Sequence, residues 1–105
     1  MSKHKFSGIL QELIDKAEIG EVIDVDFIMS HLTTDSTFEL TRYVDFALSL
    51  VNNANGITRI EYYLFNGSLI QRNYSSLFFN RRYDYDVVMK AFSQGLIDEI
   101  QAFAR

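Results

Sequence analysis

The chain has 105 residues, 48% of them hydrophobic and 14% aromatic, which is enough apolar area for a core and too much for a disordered segment. It contains no cysteine, so disulfides, thiolate nucleophiles and cysteine-ligated metals are excluded, and a domain this small without disulfides is expected in the cytoplasm. The net charge of −4 speaks against a plain polyanion binder, and no apolar run approaches the roughly 18 residues that span a bilayer.

Lys3 and Lys5 have no apolar stretch behind them, so the start reads as a mature chain and not as a signal peptide. Phe6, Ile9, Leu10, Leu13, Ile14 and Ala17 then recur at helical spacing. They predict an amphipathic helix capped by Ser2 or Ser7 and stopped at Gly20. Glu21-Val22-Ile23-Asp24-Val25 alternates and is β-branched, which predicts a short strand. Helical spacing resumes from Asp26 to Leu32.

Residues 33–37, Thr-Thr-Asp-Ser-Thr, form a polar break rich in N-cap side chains. A longer helix follows, with Leu40, Tyr43, Val44, Ala47, Leu48 and Val51 as its apolar stripe, and residues 52–56 are expected to end it. Ile57 to Phe65, Asn66-Gly67 and Ser68 to Tyr74 read as a β-hairpin, because Asn-Gly favours the tight turn between paired strands. That register pairs Leu64 with Leu69, Tyr62 with Gln71 and Glu61 with Arg72. Residues 75–83 are open between a strand and a buried loop. Asp84 or Asp86 caps a last helix through Val87, Val88, Ala91 and Phe92, which Gly95 ends or bends before Leu96, Ile97, Ile100 and Phe103. The expected fold is α+β in a single domain over residues 1–105: three N-terminal helices with a short strand, a hairpin and a C-terminal helix.

This order of elements, with the stretch from Ile23 to Thr37 followed by Leu40 and Val44, resembles the winged helix-turn-helix superfamily. The resemblance covers residues 6–74, with residues 84–105 as a helical extension. It implies a recognition helix over about 36–53, a wing over 57–74, double-stranded DNA as the partner, and a C-terminal helix that dimerises through Ile97, Ile100 and Phe103. In such a complex Thr34, Ser36 and Thr37 meet phosphate at a helix N-terminus, while Thr41 and Arg42 read base edges. Asn66, Gly67 and Arg72 belong to the wing, and the adjacent pair Arg81-Arg82 reads as a phosphate clamp beside it.

A rival reading rests on the same helix. Asp45 sits amid its outward face, where phosphate repels it, and Phe38 and Phe46 there suit a protein interface better than a groove of DNA. Residues 1–35 carry net −4, which steers a basic partner. On this reading the protein is a small acidic inhibitor, immunity or adaptor protein.

Enzymatic readings find no footing. There is no phosphate-binding Gly-rich loop, nucleophile elbow or zinc motif, and His4 and His31 have no partner residues at a fixed spacing. The pairs Asp24/Asp26 and Asp84/Asp86 read as helix caps. No catalytic residue, metal or cofactor is expected.

Overall fold

The computed structural model describes residues 8–104, and every regular element among them is a helix. In chain order these are α1 (Gly8–Ile19), α2 (Val22–Met29), α3 (Phe38–Ser49), α4 (Ala54–Asn66), α5 (Leu69–Arg81), α6 (Tyr85–Ser93) and α7 (Glu99–Ala102). Phe6, the Ser2 or Ser7 cap and His4 lie outside the described residues. No strand occurs among the described residues, so the α+β fold, the strand at 21–25 and the hairpin wing at 57–74 are corrected to an all-helical architecture. The chain forms two compact units that divide within α4, between Arg59 and Ile60.

In the first unit α1, α2 and α3 pack on one another. Their core is Leu13, Ala17, Val25, Ile28, Met29, Val44, Ala47, Leu48 and Val51. The expected strand at 21–25 is instead the entry and first turns of α2. Val22 and Ile23 are both exposed, while Val25, Ile28 and Met29 are buried, which is helical and not two-fold spacing. Asp24 turns inward and accepts the Glu21 N–H at 3.0 Å, satisfying one of the donors a helix start leaves open. β-branched propensity is weak beside such packing.

Gly20 stops α1 as expected. It adopts φ +68°, and its N–H bonds the Lys16 carbonyl at 2.8 Å. The first turn of α4 lies directly on this turn. A Cβ built on Gly56 would sit 2.1 Å from the Gly20 carbonyl oxygen, so two backbones meet where only glycine fits. Around that contact, Asn53 and Asn55 donate to the two Glu21 carboxylate oxygens at 2.8 and 3.0 Å. Arg59 holds Asp26 in a two-pronged pair at 2.7 and 3.3 Å. Residues 52–56 therefore begin α4. They do not end α3, which stops at Ser49.

The expected wing is two helices joined end to end. Ile60 and Leu64, four residues apart, are both buried in α4. A type I′ turn at Asn66-Gly67 needs positive φ at both residues, and neither adopts it. Asn66 closes α4 with its side chain on the Tyr62 carbonyl at 3.1 Å, and Gly67 lies too close to the Tyr63 carbonyl for a side chain. Ser68 and Gln71 then form a reciprocal capping box that opens α5, at 3.3 and 2.9 Å. Gln71 and Arg72 thus belong to α5, and the cross-strand pairs of the hairpin do not form.

Residues 75–81, open between strand and loop, continue α5 and bury Ser75, Ser76, Phe78, Phe79 and Asn80. In this second unit α5, α6 and α7 pack mutually, with Val88, Ala91, Ile97 and Ala102 completing the core. Gly95, at φ +76°, ends α6. The expected run of helix to the terminus is reduced to the four residues of α7, capped by Asp98.

Candidate functional site: the outward face of α3

The N-terminus of α3 is built as its sequence requires. The Thr37 hydroxyl accepts the Leu40 N–H at 3.1 Å and caps the helix. Thr41 is buried and donates to the Phe38 carbonyl at 2.7 Å, so it lies under the helix and not on its outward face. Ser36 is bound within its own loop, accepting the Thr33 N–H at 2.8 Å. Of the residues assigned to phosphate in this loop, only Thr34 is both exposed and outside these local bonds.

The opposite face is apolar and exposed. Phe38 is 77% exposed and Phe46 46%, with exposed Arg42 one turn from each and half-buried Asp45 beside them. The Arg42 guanidinium lies 5.8 Å from the Phe38 ring centre. Leu10 of α1 and Phe38, Glu39, Arg42, Tyr43 and Phe46 of α3 line an open groove of about 580 Å³. The Tyr43 hydroxyl donates to Glu39 at 2.8 Å, and that bond, with partial burial and the Glu39 charge, raises the phenol above its ordinary value of 10.0. The same bond joins two residues of the groove wall.

Sequence reasoning finds Phe38, Arg42 and Phe46, but it assigns Leu10 and Tyr43 to the core and passes over Glu39. Their position follows from α1 packing against one flank of α3, which no local pattern encodes.

The other expected contact residues are dispersed. Arg72 is not a wing residue: its guanidinium donates to the Leu96 and Gly67 carbonyls at 2.7 and 2.8 Å, bracing the second unit. Asn66 and Gly67 form the α4–α5 junction described above. Arg81 and Arg82 are exposed at the end of α5, with Arg82 5.2 Å from the Phe78 ring centre. Of the three residues assigned to a dimer surface, Ile97 is buried in the second unit at 5% exposure, whereas Ile100 and Phe103 are 83% and 55% exposed.

The two units also differ in charge. Residues 1–59 hold nine carboxylates and five cations, whereas residues 60–105 hold five of each. No group of His, Asp and Glu among the described residues could hold a metal ion, and no helix among them is long and apolar enough to cross a membrane. No family model matches the chain, and neither a curated protein nor a solved structure matches it.

Proposed function

We propose that this chain is a non-enzymatic binding module that docks a basic protein segment on the outward face of α3. The observation that carries this reading is the Phe38–Arg42–Phe46 stripe, exposed at one residue per turn beside an apolar groove on the more acidic unit. Aromatic and Arg side chains are the usual energetic anchors of protein interfaces. Carboxylates of the same unit at Glu12, Asp15, Glu18 and Glu21 are exposed and contribute a field that attracts cations. A partner segment with apolar side chains for the groove and Lys or Arg on its flanks satisfies both features. Duplex DNA suits them less well, because Glu39 and Asp45 would face phosphate, and Arg72 and the Asn66-Gly67 junction are engaged inside the second unit.

The test places a photo-crosslinking residue at position 46 in the native host, then measures the captured partner by calorimetry. A Phe38→Ala, Phe46→Ala variant removes one largely exposed and one half-exposed ring, so its stability should fall by no more than about 2 kcal/mol. It should lose at least about tenfold in affinity, and the association rate of the parent should fall as salt rises. Retained affinity in that variant, or tight salt-sensitive binding to mixed duplex DNA with no protein captured, overturns the reading.

A further inference from the structure

A segment that lies in the α3 groove buries backbone as well as side chains. Buried N–H and C=O groups need partners, and a docked strand finds them on the edge of a sheet. No strand occurs among the described residues, so the first unit offers no such edge. The α3 backbone is committed to its own helix. The polar side chains that line the groove are Glu39, Arg42 and Tyr43, and the Tyr43 hydroxyl is already donated to Glu39. They are too few for a run of peptide groups, so an extended segment would bury N–H and C=O groups without partners. A helix satisfies them within itself.

The groove also has a charge that its occupant must meet. Arg42 lies between Phe38 and Phe46 on a stripe that runs about 12 Å along α3. It is exposed, its guanidinium approaches the Phe38 ring, and it makes no hydrogen bond or ion pair among the described residues. A helix that covers both rings covers Arg42 as well. A guanidinium taken out of water without an acceptor opposes binding, and its forked donors fit a carboxylate in two prongs. Exposed Glu39, three residues before Arg42, stands on the same groove wall and is matched by a cation. A phosphate would also accept from Arg42, but it would bring up to two negative charges beside Glu39 on the more acidic unit.

We propose that, with α3 as the docking face, the segment it takes is an amphipathic helix whose apolar face is broken by one carboxylate. That carboxylate meets Arg42, and a Lys or Arg about one turn away meets Glu39. Apolar side chains three or four residues apart on the same helix enter the groove beside Phe38 and Phe46 and reach Leu10 of α1.

A phage-displayed library of random linear peptides, each long enough for about four helical turns, tests it when panned on the full chain. Peptides retained should be lost on the Phe38→Ala, Phe46→Ala variant. They should carry Asp or Glu within an apolar i, i+3, i+4, i+7 pattern, and as free peptides they should gain helical circular dichroism on binding. A proline at the peptide's centre should abolish binding. Arg42→Ala should weaken it at least about tenfold. Arg42→Glu should abolish it, and changing the peptide's acidic residue to Arg should restore it. Arg42→Gln, which keeps much of the stem, gives the same loss should Arg42→Glu fail to fold. Peptides that need Phe38 and Phe46 but tolerate the central proline, or bind Arg42→Ala as tightly as the parent, overturn the proposal and leave α3 as the docking face. A selection that yields no peptide dependent on Phe38 and Phe46 overturns the docking face and the proposal together.

Discussion

The first unit buries Leu13, Val25, Ile28, Val44 and Leu48, and its two buried polar side chains, Asp24 and Thr41, bond within a turn of their own helices. Contacts between its elements that involve polar groups lie at the rim, as in the Arg59–Asp26 pair and the asparagines on Glu21. The second unit is tied differently. Asn80, only 1% exposed, donates to the Ala102 and Ala104 carbonyls at 3.0 and 2.8 Å, Gln101 reaches the Asn73 carbonyl at 3.1 Å, and Arg72 braces two further carbonyls. A unit closed by a dry core depends little on its surface residues, and Phe38, Arg42 and Phe46 are exposed there. A unit closed by side-chain bonds to backbone depends on a few donors, because each buried carbonyl left unpaired carries its full desolvation cost.

Four substitutions probe this contrast. Gly56→Ala should cost the most, about 3 kcal/mol, because its methyl would meet the Gly20 backbone and Val51 and neither can yield cheaply. Chemical denaturation would measure it, and a loss below ~1 kcal/mol would mean the α4–Gly20 contact is loose. Asn80→Ala should cost about 2 kcal/mol through the two carbonyls it orphans. Hydrogen exchange should show that loss first at α7, and uniform loss across the chain would contradict the view of Asn80 as a local tether.

Ser75→Ala should be neutral or stabilising by less than ~1 kcal/mol, since the buried Ser75 hydroxyl has no hydrogen-bond partner among the described residues. A clear destabilisation in thermal melts would reveal one. Glu21→Gln should have a small effect, largest near neutrality and vanishing in acid, where the parent loses the same contribution. Asn55 and then Asn53 donate to the Glu21 carboxylate and hold it below its ordinary value of 4.5. A lowered folded pKa means that the carboxylate stabilises the fold above 4.5 and loses that contribution as pH falls through the lowered value. Melting temperatures of the Gln variant should therefore fall less steeply than the parent's as pH drops below 4.5, and parallel slopes would remove Glu21 from the acid response.

Much of the first unit is legible in the residue order. The α1 and α3 stripes, the Thr37 cap and the Gly20 stop each follow from side-chain spacing or backbone sterics that act within one turn. The exposed aromatic stripe of α3 follows from the same arithmetic, because residues opposite a buried face have nowhere else to point. The groove does not, since Leu10 and Tyr43 become its walls only when α1 lies against α3.

Residue spacing alone places the helices with a clean 3.6-residue period, names the residues that cap or stop them, and rules out cysteine chemistry. Packing between elements settles the segments whose patterns fit two periods. Val22 to Val25 and Ile57 to Tyr74 carry β-branched and aromatic residues that suit a strand locally, yet burying Val25 with Ile28, and Ile60 with Leu64, makes them helices. Asn66-Gly67 turns a chain in either architecture; whether it joins strands or helices depends on which neighbours are covered. Local preferences differ by a fraction of a kcal/mol per residue, whereas burying one large apolar side chain is worth about 2 kcal/mol, so packing prevails wherever the two disagree.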